Sequence, residues 1–512
     1  MKLARTDFLF QVAAITLVTA ILSACPAIYA DGSGDGSHGG HSLGLSEDVV
    51  AFEEFAQDIE PRQPPLTEEL DDLVYPENKE RLEILRARPD DDVSTEILER
   101  RSLFGQDRFL SPGPVDPGFE GPTGATWRPS FFLFGNFRSA VQSFEAPGGP
   151  RTTEWANRLD IFGNFSLTAT ERLLFGFRPL DEEGDFTGFA RRQRGEFRST
   201  NGFDGEPHRF FIEGYLDELF PRLDPEDRLG LDIGYSFGRQ PLFLQDKILA
   251  NDDVDAVGFT KHNFFRMNAS ATRLSGFVAF NEVHRNDNRR DSGATLFALS
   301  STLDYPKRTL EVDTAYVIGS SASGGDGFYF GVGQIKRFGH WNSTFRMNTS
   351  VALDQGGPAV NDGWLFTHQF SRTMKHSEDI LTLGMFAEID DYTSAARGPA
   401  TGGSLGGFSL LQRAVGIGTY GSPSNLAARD ALGFEISYQH FLDNEARRQL
   451  LVSAGVSASE NLLRIDSTTG AVALQYQQQL TRNLIWILGG FGSITEDDDK
   501  GFGMRTELLR KF

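Results

Sequence analysis

Cysteine is almost absent: the 512 residues contain one, Cys25. A lone thiol excludes a disulfide framework and any metal site built from several thiolates. Basic residues are outnumbered, 49 Lys and Arg against 71 Asp and Glu, giving a formal net charge of -22. That balance argues against nucleic acid as a partner. No C-x-x-C-H run and no G-x-x-x-x-G-K-[ST] loop occurs, so neither covalent haem nor a bound nucleoside phosphate is expected. Past the first 30 residues there is no apolar run of about 18, the length a spanning helix needs. Two residue types are plentiful instead, 44 Phe and 55 Gly.

The opening 30 residues read as an export signal: Lys2 and Arg5 precede an apolar stretch from Phe8 to Leu22, and small residues follow. Cleavage after Ala30 suits an ordinary signal peptidase, whereas Leu22 to Cys25, "LSAC", resembles a lipobox with Cys25 acylated. Residues 31–126 form an extension. It starts with Gly/Ser linker containing His38 and His41, too flexible a pair to imply a metal site. It continues through an acidic segment, 46–100, with 18 Asp and Glu against 6 Lys and Arg, and ends in a Pro/Gly linker at 110–124. The acidic segment reads as a solvated extension, or as an arm that docks a periplasmic protein.

From Trp127 the pattern has a period of two. In "WNSTFRMNTSVAL", Trp341, Phe345, Met347, Val351 and Leu353 alternate with Asn342, Arg346 and Asn348. Successive strand side chains point to opposite faces, so one face is apolar and the other wet. The pattern recurs in "RLDIFGNFSLTA", "RLGLDIGYSFG", "TLEVDTAYVI" and "AVALQYQQQL". Short connections such as "DYPKR" and "LTRN" alternate with long polar ones such as residues 179–208 and 390–430. Alternation of that kind is expected of an up-and-down barrel with one rim in the periplasm and the other outside. The fold expected for 127–512 is therefore all-β, a transmembrane antiparallel barrel of about 18 strands. Such a barrel is too wide for side chains to fill, so a channel is expected. The apolar face would meet outer-membrane lipid.

The segment "GRQPLFLQDKILANDDVDAVGFT", Gly238 to Thr260, places Gly-Arg-Gln at a strand end and Asp252–Val257 at the start of the next strand. It resembles the alginate-export and related substrate-specific outer-membrane porins. The resemblance implies a monomeric outer-membrane channel of about this size, passing a small hydrophilic solute or a polysaccharide. The last strand, "GMRTELLRKF", ends on Phe512 and resembles the signal read by the barrel assembly machinery.

Strand phase nominates the residues lining the channel. Arg138, Arg158, Arg178, Arg266 and Arg346 fall on polar faces, as do Asp160, Asp232, Glu311, Asp313, Glu388 and Glu435. Guanidinium groups favour anions through their field and bidentate contacts, so carboxylate or polyuronate-like solutes are one expectation. The other is that the mixed charges neutralise one another and keep the lumen wet. No enzyme and no cofactor are expected: His368 and His440 lie on strands with no serine near in sequence on the same face, and His284 sits at a loop edge. The alternative function is a scaffold that sheaths a periplasmic partner such as a multihaem cytochrome.

Overall fold

The computed structural model describes residues 117–512, apart from 148, 193, 194, 196, 227, 229, 266, 321–324, 355, 356, 358, 400, 413–416, 424–428, 444, 445, 462, 463, 497 and 498. The export signal, Cys25, the acidic segment 46–100 and Arg266 lie outside the described residues.

The wall is a closed antiparallel barrel of 18 strands. They are β1 (Ser130–Glu145), β2 (Thr152–Ser166), β3 (Arg172–Phe177), β4 (Pro207–Tyr215), β5 (Ile233–Leu244), β6 (Ala250–His262), β7 (Ala271–Phe280), β8 (Thr295–Tyr305) and β9 (Arg308–Ile318). The second half comprises β10 (Gly327–Phe338), β11 (Trp341–Ala352), β12 (Gly363–Thr373), β13 (Ile380–Asp390), β14 (Arg429–Phe441), β15 (Arg448–Asn461), β16 (Arg464–Thr481), β17 (Leu484–Thr495) and β18 (Lys500–Lys511). Each pairs with its sequence neighbours, and β18 closes on β1 in the register Glu507↔Ala140. Closure satisfies every ladder group without leaving an edge. Phe512 completes the seam, its amide donating to Gly135 O at 3.0 Å.

Both ends of the wall lie at one rim, where connections such as 306–307, 339–340 and 482–483 are short. The long connections 178–206, 281–294 and 391–428 lie at the other. Outward positions are apolar and bare: Phe237, Val257, Phe259, Phe434, Val456 and Val472 are all exposed. An apolar surface this continuous is incompatible with a water-facing exterior.

Two boundaries differ from the sequence pattern. The periodicity of "RLGLDIGYSFG" carries Asp232 into a strand, but Gly230 has φ 61° and the ladder starts at Ile233. Asp232 therefore sits at the short-turn rim, paired with Lys261, and not within the lumen wall. The second difference is larger. Residues 241–251, expected as the loop between Gly-Arg-Gln and Asp252, instead extend both strands, β5 to Leu244 and β6 from Ala250, paired as Leu244↔Ala250.

A candidate constriction inside the barrel

The β5–β6 hairpin lies within the lumen because it has an apolar face to bury. Leu242, Leu244, Leu249, Ala250 and Val254 pack on Ala279, Leu296, Ala298, Ala315 and Val317 of the inner wall, all of them buried. Its other face carries Arg239, Phe243, Asn251 and Asp253 towards the lumen. The tip is strained: Gln245, Asp246 and Lys247 take φ of 48°, 55° and 71°. Non-glycine residues there cost about 1–3 kcal/mol each and persist only where the surroundings hold them. Asp313 accepts from the Gln245 amide (3.2 Å) and from its Nε2 (2.8 Å). Room for the tip comes from Gly331 and Gly333 of β10, where a Cβ would lie 2.5 Å from Gln245 Cγ and 2.8 Å from Arg346 Nη1.

The 391–428 connection crosses the lumen and meets this tip. Ala396–Arg397 add a parallel bridge to the start of β6. Ser394 Oγ donates to Ile248 O at 2.7 Å. Arg397, buried, donates to Lys247 O (2.9 Å), Ile248 O (3.0 Å) and Gly403 O (3.0 Å). Burial pulls its guanidinium down to about 10, against the opposing pull of Tyr392 and Asp252, and it stays charged at neutral pH. Farther along, Gln369 donates to Phe408 O at 2.5 Å. Thr419 N donates to Glu154 of β2 at 2.7 Å. The 281–294 connection joins them through Asn288, whose Nδ2 donates to Gly398 O at 2.8 Å. Its His284 ring sits 3.0 Å from Asp252. Burial alone would lower that imidazole, but Asp252 outweighs it and the ring titrates above its ordinary value.

These loops leave a cavity of about 340 Å³ against β2–β6. Most of its cationic lining is held in an ordered lattice, and Asp181, Glu183, Asp204 and Glu206 line it as well. Asp160 bridges Arg158 and Arg178, both at 3.0 Å. Asp253 bridges His208 (2.6 Å) and Arg209 (2.7 Å). Glu282 bridges Arg239 (3.0 Å) and Arg290 (2.6 Å), and Arg239 also reaches Asp255 at 2.9 Å. Lys247 stands apart: it lies over the Phe243 ring at 4.7 Å, with no carboxylate in ion-pair range among the described residues.

Of the residues nominated from sequence, Arg158, Arg178 and Asp160 meet at this cavity. Arg346, Glu311 and Asp313 meet elsewhere, around Gln245: Arg346 Nη1 is 2.5 Å from Glu311 and 3.2 Å from Gln245 Oε1. Arg138 is on the β1–β18 seam, 2.6 Å from Glu507, which Arg505 also holds. Glu388 and Glu435 are inward and buried; Ser437 donates to Glu435 at 2.7 Å. His208, Arg209, Arg239, Lys247, Asp253, Glu282 and Arg290 were not nominated. Arg239, Lys247 and Asp253 lie in the Gly238–Thr260 segment singled out for its motif, which was the available signal. The expectation that His368 lacks a serine is also corrected: Ser343 Oγ lies 2.8 Å from its Nε2. The pair faces outward, brought together by strand register rather than sequence spacing.

No family profile and no curated protein matches the chain. Solved structures similar to it include three from Pseudomonas aeruginosa. OccK9 (OpdG) is 11% identical with a TM-score of 0.49, covering 75% of this chain and 98% of its own. OccK2 (OpdF), solved in complex with glucuronate, is 8% identical at 0.49, over 75% and 98%. OprD is 8% identical at 0.47, over 75% and 95%.

Proposed function

We propose that the chain is an outer-membrane channel for small hydrophilic solutes, with carboxylates the class its constriction suits. The observation that carries this is the closed barrel with a charged cavity inside it, bounded by inward-folded connections. A cavity of about 340 Å³ is at the small end of ligand-sized pockets, which run from about 300 to 1,000 Å³. The nominated inward residues, Arg138, Arg158, Arg178, Arg346, Asp160, Glu311, Asp313, Glu388 and Glu435, are the lining we assign to the lumen. The cavity lining sets six Lys and Arg against seven Asp and Glu, so its net field does not favour anions. The contact we assign to an entering carboxylate is Lys247, whose ammonium has no carboxylate in ion-pair range among the described residues. The exposed ring of Phe512 is the aromatic we assign to recognition by the assembly machinery. A sheath around a cytochrome is the weaker reading, since the hairpin and the 391–428 connection occupy the space a threaded partner needs.

The test is electrical. Purified protein in planar bilayers is expected to conduct with little preference between small cations and anions, any bias fading as the Debye length shrinks. Lys247→Gln is expected to move the reversal potential towards cation selectivity and to slow glucuronate entry. An unchanged reversal potential would mean a general solute pore; absence of conductance would refute the channel.

A further inference from the structure

The outward face of β8–β12 carries charge at one end only. Its outward positions follow from Arg346 and Thr367 pointing inward and from the continuous registers of these strands. Not one Asp or Glu occupies an outward position on the five strands, and the basic residues there are Arg308, Lys336 and Arg372. All three stand within a residue or two of the short-turn rim, whereas the long-loop end presents Ile318, Phe328, Val351 and Trp364. Each is seated on an aromatic ring: Arg308 over Tyr305 at 4.7 Å, Lys336 over Phe338 at 4.4 Å and Arg372 over Trp341 at 5.7 Å. A cation held on a ring lays its aliphatic stem along the apolar surface and keeps its charge at the polar boundary. Arg308 and Lys336 are direct register partners, so their backbones lie about 5 Å apart.

Below this row the same face is polar where hydrocarbon would begin. Gln334, two residues deeper than Lys336, is 6% exposed, and its Nε2 is buried without a partner among the described residues. Across β11 from it, the outward Ser343–His368 pair is also buried. An unsatisfied amide on a membrane face is costly. A donor about 7 Å farther along the strand than a cation pair is where the glycerol ester carbonyls of a lipid lie when its phosphate sits on the cations.

We propose that this face binds one anionic phospholipid from the leaflet at the short-turn rim, with Arg308 and Lys336 holding the phosphate diester and Gln334, its side chain turned outward on binding, donating to an ester carbonyl. The proposal rests on the membrane-barrel reading, and the experiment keeps the two apart. Full-length protein in detergent is given equal amounts of phosphatidylglycerol and phosphatidylcholine with matched chains, and retained lipid is counted by native mass spectrometry. Phosphatidylglycerol is expected to be preferred. Arg308→Gln with Lys336→Gln should weaken its retention by roughly fivefold per cation, about 25-fold together. The charge-keeping pair Arg308→Lys with Lys336→Arg should retain it, and Gln334→Leu should weaken both lipids. Equal retention of the two lipids, or indifference to the Gln variants, overturns the proposal while channel conductance persists. Displacement by soluble glycerol phosphate overturns it in favour of a free-phosphate site. Disulfide-linked dimers of Gln334→Cys in vesicles overturn it in favour of a contact between copies. A wild-type protein that neither inserts nor conducts refutes the membrane barrel itself.

Discussion

Replacing Arg397 with methionine should release the constriction without opening the barrel wall. The guanidinium gathers Lys247 O, Ile248 O, Gly403 O and Ser394 Oγ around one buried centre. Methionine keeps the length and removes every donor. Lys247 O then loses its partner, at about 1–3 kcal/mol where water cannot reach it, while Ile248 O keeps Ser394 Oγ and Gly403 O keeps the Gly406 amide. The lumen side is wet, so the low end applies, about 1 kcal/mol for Lys247 O and about 0.5 kcal/mol for each of the other two bonds, about 2 kcal/mol in total. The tip held by these bonds stores about 1–3 kcal/mol at each of Gln245, Asp246 and Lys247. Removing about 2 kcal/mol from the held state shifts its equilibrium with a relaxed tip by about thirtyfold. Single-channel recording should show this as a larger mean conductance with flicker between levels. Arg397→Lys keeps the charge but reaches fewer carbonyls at once, and should fall between. Mobility on unheated gels should match wild type, because no wall strand is touched. A variant with wild-type conductance and wild-type noise would refute the claim that this residue fixes the constriction.

Other expectations follow from the same geometry. Met347→Arg, outward and at mid-strand, should cost about 2–4 kcal/mol and reduce the folded fraction in unheated gels, whereas inward Gln475→Arg should assemble normally. Gly331→Val places side-chain atoms where Gln245 Cγ lies 2.5 Å from the built Cβ; it should displace the tip and raise conductance much as Arg397→Met does. His284 titrates above its ordinary value of 6.5 through Asp252. Its contribution is thus complete below pH 6.5 and is lost as pH rises through the folded-state value. Current noise should grow on the alkaline side in wild type, and His284→Gln should remove that step; an identical pH response in the two proteins would exclude the pair as its cause.

The wall was legible because its two faces meet different solvents. Along β11, Phe345 and Met347 must be apolar and Arg346 and Asn348 need not be, which leaves a period of two that no neighbouring strand obscures. The constriction was not legible, for the same physical reason in reverse. Where the hairpin lies on the inner wall, inward positions are apolar as well: Leu296 and Ala298 inside β8 read no differently from Phe297 and Leu299 outside it. Sequence cannot say that one apolar face is covered by Leu242 and Val254 and the other by lipid. Arg158, Arg178 and Asp160 were found because they sit on clean strands. Arg209, Arg239 and Arg290 are assembled with them only by pairing across β4–β6 and by an inward connection, and such contacts leave no local trace. Asp232 misled because alternation continues for a few residues past the place where Gly230 turns the chain.

On the proposed channel function, the lattice lets a strongly charged constriction pass solute. An isolated guanidinium facing a narrow lumen would hold a carboxylate too long, and conduction needs sites favourable enough to enter yet weak enough to leave. Here each cavity guanidinium already has a carboxylate within about 3 Å, so an entering carboxylate exchanges for a fixed one and the net gain per site is small. Because Asp160 and Glu282 each bridge two guanidiniums, one contact can be lent to a solute while the other keeps the acid in place. Lys247, on the strained tip and outside this exchange, is the lining cation left free of an ion pair among the described residues. The two roles fall to different parts: the wall strands and the 281–294 connection hold the exchange lattice, and the hairpin tip, pinned by Arg397, carries the one lining cation outside it among the described residues.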